Sequence, residues 1–239
     1  MATVLQISDT HFRAEPHAPA DRDPDSALSE SIAPVLGIAP DLVLLTGDLS
    51  DDGSVEALSR LRGMVAVFSA PVLAVAGNHD IVDNVHTVFG APEMAEVGAW
   101  RVLAVETVIP GHEHGAVDVA DLIRRLDAVD DRPTVIALHH PPRSTSTHTW
   151  FRLIGADELL LELRRRPNVR AIVSGHLHEA FRLHDGDLEL CGAPSAYYAI
   201  EHLGDTFQLV ADGIVGTQVL TLGDDGSFSC DPVDRSLGC

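Results

Sequence analysis

Short apolar runs alternate with longer amphipathic stretches between residues 3 and 174. The apolar runs are TVLQIS, DLVLLT, PVLAVA, RVLAVE, TVIAL and VRAIVS, and each has the length and composition of a buried strand. The stretches SALSESIAPVLGI, SVEALSRLRGMVA, VDVADLIRRLDAV and GADELLLELRRR repeat apolar residues every three or four positions, which predicts helices. This alternation predicts a layered α/β fold.

The pattern changes after residue 180. FRLHDGDLELCG, FQLVADGI and TQVLTLGDDGSF are short β-like pieces with Asp-Gly turns, which predict antiparallel hairpins and hence a mixed sheet. No linker rich in Pro, Gly or Ser divides the 239 residues, so we predict a single domain over residues 1–239. The last 15 residues or so, from about Asp224, are expected to form a tail.

Composition excludes several classes of function. The net charge of -20 opposes binding to nucleic acid or to anionic membranes. All 16 basic residues are Arg, which excludes P-loop nucleotide chemistry and lysine Schiff bases. No segment has the features of a signal peptide or a membrane span, so the expected location is the cytoplasm. The three cysteines, Cys191, Cys230 and Cys239, suit a reducing compartment, with a Cys230–Cys239 disulfide as the alternative.

Five of the six predicted strands end in residue types that bind metals. These ends read QISDTH, LLTGDLSDD, AVAGNHD, IALHHPP and IVSGHLH. In a layered α/β fold the carboxyl ends of strands gather ligands at one rim. Asp9 and His11, like His176 and His178, are two residues apart, so each pair points to one side if strand geometry continues that far. Two polar loops, residues 13–25 and 141–150, follow histidine-bearing strand ends and are expected near the site.

These strand ends supply four imidazoles, two carboxylates and one amide oxygen. The seven donors are Asp9, His11, Asp48, Asn78, His139, His176 and His178. Seven ligands exceed what one ion usually takes from a protein. If Asp48 bridges, each of two ions receives four protein ligands, with a hydroxide between the ions. Mixed nitrogen and oxygen donors favour Mn, Fe or Zn over Mg or Ca, and the absence of cysteine donors opposes a structural zinc.

The ordered set DTH, GDLSDDG, GNHD, HHPP and GHLH resembles the calcineurin-like metallophosphoesterases. WRVLAVETVIPGHEHG, the HHPP form and GAPSAYY are similar to the bacterial class III cyclic-AMP phosphodiesterase branch of that family. The resemblance implies an α/β fold in which a layered, mixed β-sandwich is flanked by helices. It also implies two metal ions, with Mn and Fe leading and Zn as the alternative, and a possible homodimer.

The resemblance also divides the donors between the two ions. It implies that one ion is held by Asp9, His11, Asp48 and His178, and that the other is held by Asp48, Asn78, His139 and His176.

The resemblance assigns roles to residues beside the metals. His79 matches the histidine that contacts the phosphate and protonates the leaving oxygen, and Asp51 matches the carboxylate that orients it. Related protein phosphatases continue with Arg where this chain has Asp52, which opposes protein-phosphatase activity. Asn78, His79 and His140 are the expected substrate contacts, although His140 could instead support a ligand or simply pack.

Other histidines and aromatic residues receive no role in the site. His112 and His114 are expected to be exposed to solvent, with a third metal site as the alternative. Tyr197 and Tyr198 are expected to be hairpin core residues, with stacking on a base as the alternative.

Charge counting favours a phosphodiester substrate. Two divalent ions, less the carboxylates of Asp9 and Asp48 and one hydroxide, leave about one positive charge, which complements a diester monoanion. The expected reaction is hydrolysis of a small phosphodiester by the bridging hydroxide, with 3',5'-cyclic AMP to 5'-AMP as the leading case. The alternatives are glycerophosphodiesters, 2',3'-cyclic nucleotides and phosphomonoesters. A non-catalytic binding scaffold is disfavoured, because such proteins lack ligands that are all present here.

Overall fold

The computed structural model describes residues 1–15, 22–91, 93–210 and 213–236. The helices are α1 (Pro24–Ile32), α2 (Val55–Val65), α3 (Val82–Phe89), α4 (Val119–Asp127) and α5 (Ala156–Leu163). The strands are β1 (Ala2–Ile7), β2 (Leu42–Thr46), β3 (Val72–Val75), β4 (Met94–Val97), β5 (Trp100–Ala104), β6 (Gly115–Ala116), β7 (Thr134–Ala137), β8 (Leu153–Ile154), β9 (Val169–Ser174), β10 (Phe181–Asp185), β11 (Leu188–Gly192), β12 (Ala199–His202), β13 (Phe207–Val210), β14 (Ile214–Leu222) and β15 (Phe228–Ser236). Within these ranges no helix is both long and apolar enough to span a membrane.

Two large mixed sheets form the centre of the structure. The first sheet has the order β15-β14-β1-β2-β3, with β1, β2 and β3 parallel and β14 and β15 antiparallel. The second sheet has the order β10-β11-β9-β7-β5-β4, with four parallel inner strands and an antiparallel strand at each edge. The predicted mixed α/β architecture is therefore confirmed.

Alternation along the inner strands divides the core into layers. Leu42 and Leu44 of β2 pack against Trp100 and Val173 of the second sheet, so this part of the core lies between the two sheets. Val43 and Leu45 point to the opposite face, where they belong to a second cluster.

Helices cover the outer face of each sheet. The Val43 and Leu45 cluster includes Leu28 of α1, Leu58 of α2 and Val85 of α3. A third cluster joins the outer face of the second sheet to Leu122 of α4 and Leu159 of α5. The order is therefore helices, sheet, sheet, helices.

Three of the helices begin at a side-chain cap that the sequence supplies. Asp23, Ser54 and Asp118 each accept a hydrogen bond from the backbone N–H three residues further on, which satisfies an otherwise unpaired donor. The helices therefore start directly after the loops that follow the strands.

The expected tail from about Asp224 is wrong. Phe228–Ser236 forms β15, which pairs with β14 along nine residues at the edge of the first sheet. The sequence did not indicate this strand, because it contains Pro232 and proline is rare in strands other than edge strands.

Two of the three cysteines lie in the part of the chain that the structure describes. Cys191 and Cys230 are buried free thiols. Cys239 lies outside the described residues, so the alternative Cys230–Cys239 disulfide stays a prediction.

Candidate metal centre

The loops that follow five strands meet at one end of the two sheets. Loops after β1, β2 and β3 come from the first sheet, and loops after β7 and β9 come from the second. The backbone N–H of Asp9 donates to the carbonyl of Gly47 (3.0 Å), and that of His11 donates to Asp48 (2.9 Å). The two sheets are joined where the His176 N–H donates to the Asp9 carboxylate (3.1 Å). All seven predicted ligands lie in this cluster of loops.

The backbone at these ligands is not a continuation of the strands. Asp9, His11, Asp48, His176 and His178 all have left-handed φ values, between 47° and 71°. The strand geometry that would place each pair on one side ends at Ile7 and Ser174, before the ligands begin. The side chains still converge, because each left-handed residue turns the chain back towards the site. Such conformations cost about 1–3 kcal/mol each and concentrate at functional sites.

Glycine is required where these loops touch. A Cβ at Gly77 would lie 2.2 Å from the backbone nitrogen of Asp48. A Cβ at Gly175 would lie 2.0 Å from the Ser8 hydroxyl and 2.7 Å from the Asp9 carboxylate. These contacts explain the glycine in GNHD and in GHLH, since any side chain would push the loops apart.

One group of donors is formed by Asp9, His11, Asp48 and His178. Their ligand atoms all lie within 4.8 Å of one another, and all four residues are buried. Nε2 of His178 is 3.4 Å from Oδ1 of Asp9, and Nε2 of His11 is 3.9 Å from Oδ2 of Asp48. This group has the same members as the first predicted ligand set.

A second group surrounds His139. Its Nε2 lies 3.4 Å from Oδ1 of Asp48 and 3.1 Å from Oδ1 of Asn78, and its ring centre is 4.8 Å from that of His176. Asp48 therefore faces one group with each carboxylate oxygen. A carboxylate in this position can hold two cations at once.

Hydrogen bonds leave one nitrogen of each predicted histidine ligand directed into the site. Nδ1 of His139 donates to the carbonyl of Thr46 (2.8 Å), Nδ1 of His178 to Tyr198 (2.8 Å), and Nε2 of His176 to Trp150 (3.1 Å). Nδ1 of His11 lies 3.3 Å from Asp51. Partners of this kind fix the tautomer and orientation of metal-binding histidines.

The histidine nitrogens that face the site show whether this donor set suits bound cations. Nε2 of His11 and Nε2 of His178 are 3.2 Å apart, although the opposite nitrogen of each ring already serves as the donor. Two lone pairs at this distance repel, and a cation bound to both relieves the repulsion. The donor set therefore fits metal ions with mixed nitrogen and oxygen coordination.

The two buried carboxylates also favour bound cations. Burial disfavours the charged forms of Asp48 and Asp9, yet His139 and His178 hold the pKa of each carboxyl below its usual value. Burial likewise opposes a charge on His139, but Asp48 outweighs it and raises the pKa of His139 to about 9. The two carboxylates thus draw positive charge into a buried site.

His79 and Asp51 form a pair beside the metal ligands. Nδ1 of His79 lies 3.1 Å from Oδ1 of Asp51, and this hydrogen bond raises the pKa of His79 to about 9. The same oxygen accepts from His11, while Arg13 pairs with the other oxygen at 2.6 Å. The bonds from His11 and His79 lower the pKa of Asp51. Arg13 was not predicted from the sequence, because an arginine beside DTH has no distinguishing signal.

Comparison with known protein families identifies the family of this chain. A sequence model of calcineurin-like phosphoesterases matches residues 2–180, which contain all seven predicted ligands. The chain belongs to the calcineurin-like phosphoesterase family. It is accordingly a member of a family of metal-dependent hydrolases, as the sequence predicted.

Relatives and solved structures agree with this membership. The 3',5'-cyclic adenosine monophosphate phosphodiesterase CpdA of Pseudomonas aeruginosa is 31% identical over 93% of this chain and 86% of its own. The 3',5'-cyclic-nucleotide phosphodiesterase of Nostoc is 27% identical over 95% and 90%. A dimetal phosphatase from Danio rerio shares the fold with a TM-score of 0.69 at 14% identity, over 99% and 96% of the two chains. The branch resemblance and the fold class are confirmed.

His140 does not lie where a substrate contact would. In this calcineurin-like chain it is fully buried; its Nδ1 is 2.8 Å from the Thr107 hydroxyl and its Nε2 is 3.0 Å from the carbonyl of Glu113. Its ring packs against His139 and His176. Both nitrogens are occupied, so this placement fits the alternative in which His140 supports the neighbouring ligands.

The GHEHG loop reaches the site through a residue that the sequence did not single out. Oε2 of Glu113 accepts a hydrogen bond from the Asn78 amide (3.0 Å), while His112 is exposed and His114 is partly exposed. Glu113 therefore orients the oxygen of Asn78 towards His139. A single acidic residue in a loop carries no periodic signal, so only the fold reveals it.

A cleft opens beside the predicted ligands. It has a volume of about 110 Å³, and its polar side includes Asp48, Asn78, His79 and Glu113. Its other side, here called the apolar wall, comprises Trp150, Phe151, Tyr198, Ile200, Phe207 and Leu209. Tyr198 packs over the rings of His11 and His178, at centroid distances of 5.1 and 4.4 Å. The expectation that Tyr198 is an ordinary core residue is therefore wrong.

Proposed function

We propose that the chain is a dinuclear metal phosphodiesterase that hydrolyses a small phosphodiester, with 3',5'-cyclic AMP as the leading substrate. The observation that carries this proposal is the position of Asp48. Its two oxygens face different donor groups, at 3.9 Å from His11 and 3.4 Å from His139. Asp9, His11 and His178 complete one ligand set with Asp48, and Asn78, His139 and His176 complete the other.

Two divalent ions held by these residues would supply Lewis-acid chemistry, because they would lower the pKa of water and neutralise charge that develops on the phosphate. The residues of the chain supply orientation and a proton. Asn78 and His79 lie in the cleft, where they can contact a phosphate oxygen. Asp51 holds His79 by Nδ1, and the raised pKa of His79 keeps the proton that the leaving oxygen needs.

Two observations favour a diester monoanion. The simple charge count leaves about one positive charge at the metal pair. The position after Asp51 holds Asp52, which is turned to local contacts with the Ala14 and Ser54 backbone rather than to the cleft. The names of the relatives support a cyclic nucleotide within this class.

The metal mechanism is tested with bis(p-nitrophenyl) phosphate. We expect turnover to disappear on chelation and to return when Mn²⁺ is added. Dialysis without chelator is the control for loss of folded protein. Turnover that is unaffected by complete metal removal would contradict the mechanism.

The substrate is tested with a panel assayed in Mn²⁺. The panel comprises 3',5'-cyclic AMP, a 2',3'-cyclic nucleotide, a glycerophosphodiester and a phosphomonoester. We expect the highest kcat/KM for 3',5'-cyclic AMP. A value for cyclic AMP that is orders of magnitude below another member would reassign the substrate and leave the metal mechanism in place.

A further inference from the structure

None of the side chains in the apolar wall is a predicted metal ligand or the predicted proton donor. Trp150 is 46% exposed and Leu209 is 68% exposed, although both line the cleft. Large apolar side chains exposed side by side in a cleft usually mark a binding surface. The wall therefore requires an explanation beyond the chemistry already assigned.

An aromatic path leads from a predicted metal ligand to the mouth of the cleft. The ring of His176 lies 5.2 Å from Phe151, Phe151 lies 5.2 Å from Phe207, and Phe207 lies 5.5 Å from Trp150. Phe151 is buried, Phe207 is partly exposed and Trp150 is the most exposed of the three. The path thus starts at the metal centre and ends in solvent, as a surface for the remainder of a substrate would.

Hydrogen bonds fix this wall to the metal-binding loops. The wall is built from the loop after β7, from Tyr198 directly before β12 and from the β12–β13 hairpin. The Thr147 N–H donates to the carbonyl of Gly204, which joins the loop to the hairpin (2.9 Å). Nε2 of His202 donates to the carbonyl of Leu177, which lies between two predicted ligands (2.9 Å). The Trp150 carbonyl accepts from His176. The wall is therefore held in place before a ligand arrives.

Charge restricts what the wall can accept. Among the residues described, no arginine lines the cleft, and the carboxylate of Glu113 faces it. The proposed metal ions and His79 face the reacting phosphate, so a second anionic group elsewhere on the substrate would meet this carboxylate without a further cation to offset it. The part of the substrate beyond the phosphate is thus uncharged.

The volume of the cleft also constrains the part of the substrate beyond the phosphate. The cleft of about 110 Å³ is much smaller than the ~300 Å³ or more of typical small-molecule sites. A nucleotide whose phosphate lies at the polar side must extend out of the cleft, and Phe207 and Trp150 are aromatic residues at least partly exposed at its mouth. The faces of these aromatic rings favour a planar substituent on the phosphate over an aliphatic alcohol, because any nucleobase has a π-face that can stack on them.

We infer that the apolar wall, with Trp150 and Phe207 at its centre, is the subsite that stacks an uncharged planar base of the substrate. The inference rests on the proposed phosphodiesterase function and names the group that the site selects. It accounts for the exposed rings, for the hairpin that carries one of them and for the lack of an arginine among the described residues that line the cleft.

The first test separates the base from the reacting phosphate. Hydrolysis of 3',5'-cyclic AMP is compared with that of 1-deoxyribose 3',5'-cyclic phosphate, which has the same diester ring but no base. We expect kcat/KM of the intact protein to be about tenfold or more higher for cyclic AMP. Trp150→Ala and Phe207→Ala should each remove most of this preference and leave kcat/KM for the base-free diester within about twofold of that of the unmodified chain.

The matched control is Leu203→Ala, on the same hairpin but outside the cleft, where Leu203 is 51% exposed. We expect it to leave both substrates unaffected. Three results would overturn the inference: equal kcat/KM for the two substrates, a parallel loss on both in Trp150→Ala, or an equal loss in Leu203→Ala. Turnover of the base-free diester reports on the proposed function separately.

A binding measurement decides the inference even if neither diester is hydrolysed. The chain has two tryptophans, and Trp100 is fully buried, so a change in emission on ligand binding reports on Trp150. We expect 5'-AMP to quench the emission of the Zn²⁺-loaded protein saturably, and ribose 5-phosphate to leave it unchanged. Trp150→Phe should abolish the response. An equal response to both ligands, or none to 5'-AMP, would refute stacking at this wall.

Discussion

His79 is held by Asp51 so that one ring nitrogen is fixed and the ring faces the cleft. We expect His79→Ala to lower kcat for cyclic AMP by roughly 10² to 10⁴-fold, because a ribose alkoxide needs a proton to depart. The loss should be much smaller for bis(p-nitrophenyl) phosphate, since its leaving group departs as a stable anion. Steady-state kinetics on both substrates, with metal content measured alongside, check this.

The control for His79 is His184→Ala, because His184 is exposed on β10. It should leave both rates unchanged. An equal fold-loss on the two substrates in His79→Ala would contradict the role of proton donor and would indicate that His79 acts only through binding.

Individual residues show where the sequence analysis succeeded and where it failed. Asp9, His11 and His178 were identifiable because imidazoles and carboxylates recur directly after apolar strands. Their left-handed backbone was not, because a spacing of two residues is equally compatible with strand geometry. Glu113 was missed and Tyr198 was expected in the core, because both lie in irregular segments where no periodicity links a residue to a site.

At the scale of elements, Asp80 joins the loop after β2 to the loop after β3. Its carboxylate accepts hydrogen bonds from the backbone N–H groups of Gly77 (2.9 Å), Leu49 (3.0 Å) and Ser50 (2.8 Å). Asp80→Ala leaves these buried donors without partners, so we expect a loss of about 3 kcal/mol or more in the free energy of unfolding. Denaturant unfolding of the metal-free protein measures this.

Asp83→Ala is the matched control, because Asp83 is exposed in the first turn of the next helix, α3. Its loss should stay below ~1 kcal/mol. Similar losses for the two variants would mean that Asp80 does not hold the loops together.

The C-terminal strand β15 gives a second prediction at this scale. Ending the chain after Ser227 removes Phe228, which packs against Trp100, and Cys230 from the core between the sheets. We expect a loss of roughly 3 kcal/mol or more, equivalent to roughly 6–12 °C in the thermal midpoint. An unchanged thermal midpoint would contradict this prediction and would support the interpretation of these residues as a tail.

The elements also show which parts of a fold a single sequence reveals. The six apolar runs were predicted as strands because a buried strand of a layered fold is apolar on both faces. Helix α3, at Val82–Phe89, was not predicted, since eight residues directly after GNHD are too few to establish a helical period. The β14–β15 hairpin was recognised at its Asp-Gly turn, but its second strand was taken for a tail because polar residues and Pro232 interrupt it.

The whole molecule brings together groups that no local pattern connects. The first sheet supplies Asp9, His11, Asp48 and Asn78, and the second supplies His139, His176 and His178, so the centre exists only where the two sheets pack together. Sequence order predicted which strands carry ligands. The inter-sheet packing that aligns the strand ends, and the apolar wall beside them, depend on the tertiary fold.

The central claim is that two cations lie side by side and share Asp48. It is tested most directly by counting manganese per chain, after equilibration with Mn²⁺ and removal of free metal, in the unmodified protein, Asp48→Ala and Asp9→Ala. We predict two ions per chain in the unmodified protein, loss of both together in Asp48→Ala, and loss of mainly one in Asp9→Ala. One ion in the unmodified protein, or an Asp48→Ala variant that keeps one ion at full affinity, would contradict the claim.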